Sequence, residues 1–298
     1  MKLTRAVLSD IKRALCSAGF VCCVLAVFVM CFTNKIGVDP RTMDALTIPA
    51  VLSRPELIKQ DVHYCAFQVF TAGSPLWVTM FTPVLAAFAY VPLLCDERRS
   101  GFGRMLIARQ GKTGYAAGHA ISAMLTGGIT MLAGFLLFGI AVYLLFPSLQ
   151  SYGAEQASAF LAEQAYRYPP AVSGQMSAGS FAPVLLMKFA EMFLFGAFSA
   201  LPALFCTAFT QNKYTVLCLP FFAAYVWSQL HARLSAKFAR SASEHMTFLR
   251  FLDISRTDAM ISAAERNTLQ ILLLHGGTAL LLILGFCILM QRRRDCGA

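Results

Sequence analysis

The sequence predicts an all-α, polytopic membrane protein: six transmembrane helices, an amphipathic N-terminal helix, and a short cytoplasmic helix between spans two and three. Three observations lead there. Only 13% of the 298 residues are charged and 57% are hydrophobic, whereas soluble domains carry about 25% charged residues. Mean hydropathy is +0.62, so a bilayer is the natural solvent and chain length becomes a count of spans. The formal charge of +10 gathers beside the apolar runs, the pattern of cytoplasmic flanks rather than of a nucleic-acid surface.

Residues 2–15 place Leu3, Val7, Ile11 and Leu15 four apart, with Lys2, Arg5, Lys12 and Arg13 largely off that stripe. This predicts an amphipathic helix suited to the cytoplasmic membrane surface. Span one, 17–33, is short but free of charge. It lacks a small-x-small cleavage site and is expected to be a retained span, not a signal peptide. Residues 34–73 carry mixed charge with Pro40, Pro49 and Pro55, and read as a loop with a short helix around 56–71. Span two, 74–95, contains Pro75, Pro83 and Pro92; membrane helices tolerate proline because neighbouring helices and water satisfy the freed carbonyls. Span three, 116–147, holds the small-residue run "AMLTGGITMLAG", which permits close helix approach. Residues 148–179 are polar and almost uncharged around Pro169 and Pro170. Span four, 180–208, is joined by "TQNKY" to span five, 214–230. Residues 231–266 carry both signs of charge and predict one or two short amphipathic helices, before span six at 268–291 and the ending "QRRRDCGA".

Six spans put both termini on one side. That side holds Lys2, Arg5, Lys12, Arg13, Arg98, Arg99, Arg104, Arg109, Lys112, Lys213, Arg292, Arg293 and Arg294. Lysines and arginines near span ends mark the cytoplasmic face, so both termini are expected in the cytoplasm. Arg233, Lys237 and Arg240, just after span five, pull the other way.

Little in the chain looks like enzyme chemistry. Most of the ten cysteines lie in or beside apolar runs, and no CxxC occurs. They act as small hydrophobes, and neither a disulfide framework nor a zinc site is expected. Gly111-Lys112-Thr113 ends like a phosphate-binding loop, but the first glycine of that motif would fall at Leu106, and no strand precedes it. No HExxH or GxSxG is present, and the five histidines are scattered. His119 and His275, in apolar spans, read as polar side chains satisfied between packed helices. Lys188 and Glu191, three apart in span four, share a helix face. Intramembrane charges mark transport paths or ion relays. However, Lys188 lies only about 12 Å from the start of its span, where a lysine snorkels outward or pairs locally.

The stretch "DERRSGFGRMLIARQGKTGY", 96–115, separates spans two and three. Asp96, Glu97, Arg98 and Arg99 close span two with charge, and Ser100-Gly101 form a turn. Phe102, Met105, Leu106 and Ala108 against Arg104 and Arg109 predict a short surface helix, ended by Gly111, with Tyr115 as an interfacial anchor. Such a helix suits either a solvated loop or the docking of a soluble partner.

The pattern Glu97, Gly101, Arg109 and Tyr115 resembles the ABC-2 type permeases, the membrane subunits of bacterial ATP-binding-cassette exporters. Thr126-Gly127-Gly128 and Asn212-Lys213-Tyr214 resemble further elements of some members, as does the six-span layout. His119 departs from it, standing where such permeases often have lysine. The resemblance implies that 96–115 is a coupling helix. Glu97, Arg98, Arg99, Gly101, Arg104, Arg109, Lys112 and Tyr115 would then meet a separate cytoplasmic ATPase, which carries the ATP and magnesium. This chain would hold no cofactor and have no catalytic activity of its own. It would pair with a second permease copy in the plasma membrane, surrounded by lipid, with the transport path between the two. Two other classes fit less of the sequence: an ion-coupled secondary transporter using Lys188 and Glu191, and a membrane sensor or immunity protein that moves nothing.

Overall fold

The computed structural model describes residues 2–38, 44–73, 76–165, 168, 173–174, 176–177, 180–238 and 268–292. The N-terminal stripe folds into α1, Lys2–Leu15, burying Val7 and Ala14. Ser17 ends it and starts α2, Ala18–Phe32: its hydroxyl donates to Ala14 O at 2.6 Å and accepts from Phe20 N at 3.1 Å. The two helices meet at a 63° bend. The expected span two is broken at Ala89–Tyr90 into α6, Leu76–Phe88, and α7, Val91–Arg99. Pro92 sits in the first turn of α7, where its missing N–H leaves no bond unmade.

The longest element is α8, Phe102–Leu145. Span four becomes α10, Ala182–Ser199, and α11, Leu201–Thr207, parted at Ala200 just before Pro202. The remaining long helices among the described residues are α12, Lys213–Phe238, and α13, Thr268–Arg292. α8 is the central post, packed by α1, α2, α6, α10 and α13. Its inner face carries Ser122, Thr126 and Thr130, all buried. Thr126 and Thr130 donate to carbonyls one turn back, each at 2.7 Å, and so need no water. Gly127 and Gly196 bring α8 and α10 into backbone contact: a Cβ on Gly196 would stand 2.6 Å from Gly127 O.

The outer faces invert the arrangement of a soluble protein. Leu136, Leu137, Ile140 and Leu144 on α8, and Leu280, Leu281, Leu284 and Ile288 on α13, are exposed at helical spacing. Stripes of that extent call for an apolar surrounding. Among the described residues, three stretches are long and apolar enough to cross a membrane: Phe102–Ser151, Ala182–Thr207 and His275–Arg292, with the bent α1–α2 pair a fourth if counted as one. The other expected spans fall short for identifiable reasons. α2 has 15 residues, about 22 Å. α6 and α7 have 13 and 9. α12 is long, but its second half carries Gln229, His231, Arg233 and Lys237. The short helices expected within 231–266 are replaced over 231–238 by the continuation of α12; the rest of that stretch, and Arg293 and Arg294, lie outside the described residues.

A cap of short elements covers one end of the bundle. Strands β1, Lys35–Val38, and β2, Ala45–Thr47, pair antiparallel, Gly37 opposite Leu46, with a bulge between Lys35 and Gly37. Then come α3, Ile48–Leu52, α4, Pro55–Gln60, a 3-10 turn Val62–Tyr64, and α5, Ala66–Ala72. The single helix expected over 56–71 is therefore two, separated by that turn. The polar stretch after span three supplies α9, Ala154–Ala165. Phe67 stacks on Phe181 at 3.9 Å and meets Phe160 edge-on. Ala66 N donates to Pro147 O at 2.9 Å, and Tyr152 Oη to Ile58 O at 2.5 Å. Cys65 is buried in this cluster as an apolar side chain.

Candidate functional site

The 96–115 knuckle lies at the opposite end of the bundle from the cap. α7 closes when Ser100 N donates to Asp96 O at 2.9 Å and the Ser100 hydroxyl to Glu97 O at 3.0 Å. Gly101 then takes φ 77, with no atom within 4 Å of where a Cβ would stand. Backbone conformation, not space, requires glycine there. Gly111 repeats the device at φ 78 and ψ 159, interrupting α8. The short helix is thus 102–110, between two left-handed glycines.

Its side chains divide sharply. Phe102 is 47% and Met105 53% exposed, and Arg99, Arg104 and Arg109 are exposed beside them. Leu106 and Ile107 pack inward. The outward face mixes apolar and cationic side chains. The sequence pattern had placed Phe102, Met105, Leu106 and Ala108 on one apolar side; the structure separates Leu106 from the rest.

Glu97 and Tyr115, in contrast, are inside. Glu97 is 5% exposed and accepts from Tyr115 Oη at 3.0 Å. His119 Nε2 stands 3.4 Å from its carboxylate and Arg13 Nη1 3.9 Å. On the other ring edge, His119 Nδ1 bonds the Tyr90 hydroxyl and lies 3.6 Å from Asp10 Oδ2, to which Tyr90 Oη donates at 3.3 Å. Six polar side chains from α1, α7, α8 and the break at Tyr90 therefore form one cluster, buried at Tyr90, Glu97, Tyr115 and His119 and reaching the surface through Asp10 and Arg13. Burial alone would raise the Glu97 pKa, but His119, the Tyr115 hydroxyl and Arg13 outweigh it and hold the carboxyl below its ordinary value. Burial raises that of Asp10, against the pull of His119.

The cluster fixes the root of the short helix. Gly103 completes the fit, since a Cβ there would meet Tyr115 Oη at 3.0 Å. Glu97→Gln is expected to lower stability by about 1–2 kcal/mol, as a charged hydrogen-bond acceptor becomes neutral. Combined with Tyr115→Phe, the loss should fall below the sum of the two, because both remove one bond. Thermal midpoints of the two single variants and the double variant check this.

The remaining knuckle residues brace neighbouring helices. Asp96 pairs with Lys213 at 2.7 Å, and Arg98 Nη1 donates to Thr207 O. Lys112 Nζ donates to Gln291 O at 3.3 Å, placing a cation at the C-terminal end of α13, where the helix dipole favours one. The Asn212-Lys213-Tyr214 turn is capped by Asn212 Oδ1, which accepts from Tyr214 N at 3.1 Å. One end of the bundle thus gathers Arg13, the knuckle cations, Lys213 and Arg292.

Lys188 and Glu191 lie elsewhere, on α10. Lys188 Nζ donates to Glu191 Oε2 at 3.0 Å, and both side chains are buried within the chain. The lysine does not reach outward to solvent; it pairs locally. Sequence reasoning did not find Asp10, Arg13 or Tyr90 as partners of the knuckle. The available signal was Asp10, the one acid in a basic helix, three residues before Arg13. Among the described residues, no three His, Cys, Asp or Glu side chains are grouped to hold a metal ion. Comparison with family models, curated proteins and solved structures finds no match to this chain.

Proposed function

We propose that this chain is the membrane permease subunit of an ATP-driven exporter of the ABC-2 type, in the plasma membrane of a bacterial cell. In this reading it crosses the membrane six times, with both termini cytoplasmic. Span one is α2, span two is α6 with α7 up to Cys95, and span five is the first part of α12. A second permease copy completes the transport path. A separate cytoplasmic ATPase docks on 96–115 and carries the ATP and magnesium.

The observation that supports this most directly is the tip of the short helix. Phe102 and Met105 stand in the open on a helix that also exposes Arg104 and Arg109, bounded by two positive-φ glycines and rooted in a buried ionic contact. Solvated loops do not ordinarily present bulky apolar side chains on so rigid a mount. Glu97 and Tyr115 then act as positioning residues, and the arginines with Phe102 and Met105 make the contact.

Affinity purification of the tagged chain from its native membrane is expected to recover an ATPase subunit. Phe102→Asp with Met105→Asp should reduce that recovery at least tenfold, as loss of an apolar centre does at interfaces, with an unchanged thermal midpoint. Recovery of no ATPase, or equal recovery with the variant, defeats the reading. The buried Lys188–Glu191 pair favours a second reading, ion-coupled transport. That reading requires transport to follow an ion gradient and to survive depletion of ATP.

A further inference from the structure

We propose that His63 is a pH-operated clasp between the two halves of the cap. It lies in the Val62–Tyr64 turn of the first half. Its ring touches a carboxylate at each nitrogen: Nδ1 to Asp61 Oδ1 at 2.8 Å and Nε2 to Glu163 Oε2 at 3.1 Å. Asp61 is a near neighbour at the end of α4. Glu163 is on α9, a hundred residues along the chain. The bond at Nε2 therefore joins segments that emerge from different spans. Phe160, one turn before Glu163, meets the same ring edge-on at 5.9 Å.

The arrangement selects a protonation state by geometry. A neutral imidazole has one N–H, so its other nitrogen would turn a lone pair onto a carboxylate oxygen. Only the imidazolium donates to both. When the proton leaves, the two bonds are not equally exposed to loss. Asp61 Oδ1 is also held by His63's own backbone N–H at 2.9 Å, which keeps that carboxylate beside Nδ1. The proton therefore stays on Nδ1, the bare Nε2 turns its lone pair onto Glu163, and that long-range bond is the one surrendered.

The surrounding groups agree. Among the described residues, the charged side chains against the ring are Asp61 from the end of α4 and Glu163 from α9. Partial burial alone would lower the His63 pKa; the two carboxylates outweigh it and raise it above the ordinary 6.5. Nearby, burial pushes the Cys65 thiol up and the Tyr152 hydroxyl to about 12, so neither changes charge near neutrality. No other histidine occurs in 34–73 or 147–181. With a raised pKa, the clasp's contribution is fully present below about 6.5 and is lost as pH rises through the higher folded-state value.

Three further ties across the cap are neutral. Ala66 N to Pro147 O, Tyr152 Oη to Ile58 O, and Gln164 Nε2 to Gln68 Oε1 at 3.2 Å do not titrate in this range. Release of the clasp therefore loosens α9 against the turn and leaves these three ties in place. The clasp itself needs no membrane orientation; that it reads the pH outside the cell rests on the six-span arrangement proposed above.

The test uses the full chain in detergent. Histidine-labelled NMR, assigned with His63→Gln, is expected to give a His63 pKa above 6.5 that falls in Glu163→Gln. Hydrogen exchange across 154–165, corrected for its intrinsic pH dependence, should rise about two- to fivefold from pH 5.5 to 8.5, the range set by exposed ion pairs. Both variants should show the fast rate at either pH. A His63 that titrates at or below 6.5, or one pH profile shared by all three proteins, overturns the clasp. Neither readout depends on which side of a membrane the cap faces. Labelling of Ser151→Cys in intact cells by an impermeant maleimide tests that side separately.

Discussion

Lys188→Met is expected to destabilise the protein by about 3 kcal/mol or more, the usual effect of removing one partner of a buried ion pair. Glu191 is fully buried and holds the lysine at 3.0 Å. Without the ammonium, its carboxylate keeps its charge in an apolar interior or takes up a proton, and either is unfavourable. The double variant Lys188→Met, Glu191→Leu should recover most of the loss, since apolar residues of similar volume replace buried pairs with little change. Thermal midpoints of the three variants in detergent measure the recovery. The same set separates packing from transport. On the permease reading, if the pair only satisfies its own charges within α10, the double variant folds and transports. If it belongs to an ion relay, the double variant folds and does not transport. A double variant no more stable than Lys188→Met would mean that the pair is embedded in wider polar contacts.

The second large effect is steric. Gly196→Val should destabilise by at least about 3 kcal/mol, the upper end of overpacking losses. Its first added carbon would lie 2.6 Å from Gly127 O and 2.7 Å from Met131 Cγ. Met131 can move aside, but the carbonyl belongs to the central post. The clash is reciprocal, since a Cβ on Gly127 would come within 2.8 Å of Gly196 O. α8 and α10 must separate, and the buried Ser122–Thr126–Thr130 face is then opened. Gly276→Ala on α13 is the control: no atom lies within 4 Å of its added carbon, and alanine favours the helix. The two alanine substitutions, Gly127→Ala and Gly196→Ala, should together lose less than the sum of each, because one separation accommodates both. An unchanged midpoint for Gly196→Val would show that the crossing is looser than its geometry.

How much of this was legible in the sequence depends on range. Local conformational demands were plain. Gly101 and Gly111 bound the short helix, and the long apolar runs of α8, α10 with α11, and α13 needed only composition. The small-residue run around Gly127 announced a close crossing, though not that Gly196 would be its partner. The break at Ala89–Tyr90 was hidden, because Pro83 and Pro92 were both compatible with a continuous membrane helix. The cap was hidden more completely. Its aromatic cluster joins Phe67 to Phe160 and Phe181, and neither flanking stretch has a periodicity strong enough to declare a core. The root of the knuckle failed for the same reason. Asp10 meets His119 across more than a hundred residues, and a lone acid on a basic helix reads as solvated until the partner is in place. Fold class followed from burial statistics, which are local sums; the polar clusters followed from pairings, which are not.

Gly111 has a mechanical consequence. An uninterrupted helix from Phe102 to Leu145 would be a strut, carrying any push on its tip straight along its axis. With φ 78 and ψ 159 at Gly111, the first nine residues become the short arm of a crank. A load on Phe102 and Met105 turns about that joint. The resisting fulcrum is the contact of Tyr115 with Glu97, and through His119 and Asp10 the reaction falls on α1. Force applied at the knuckle would therefore be borne sideways, through these polar contacts and onto the N-terminal helix, rather than along the axis of α8.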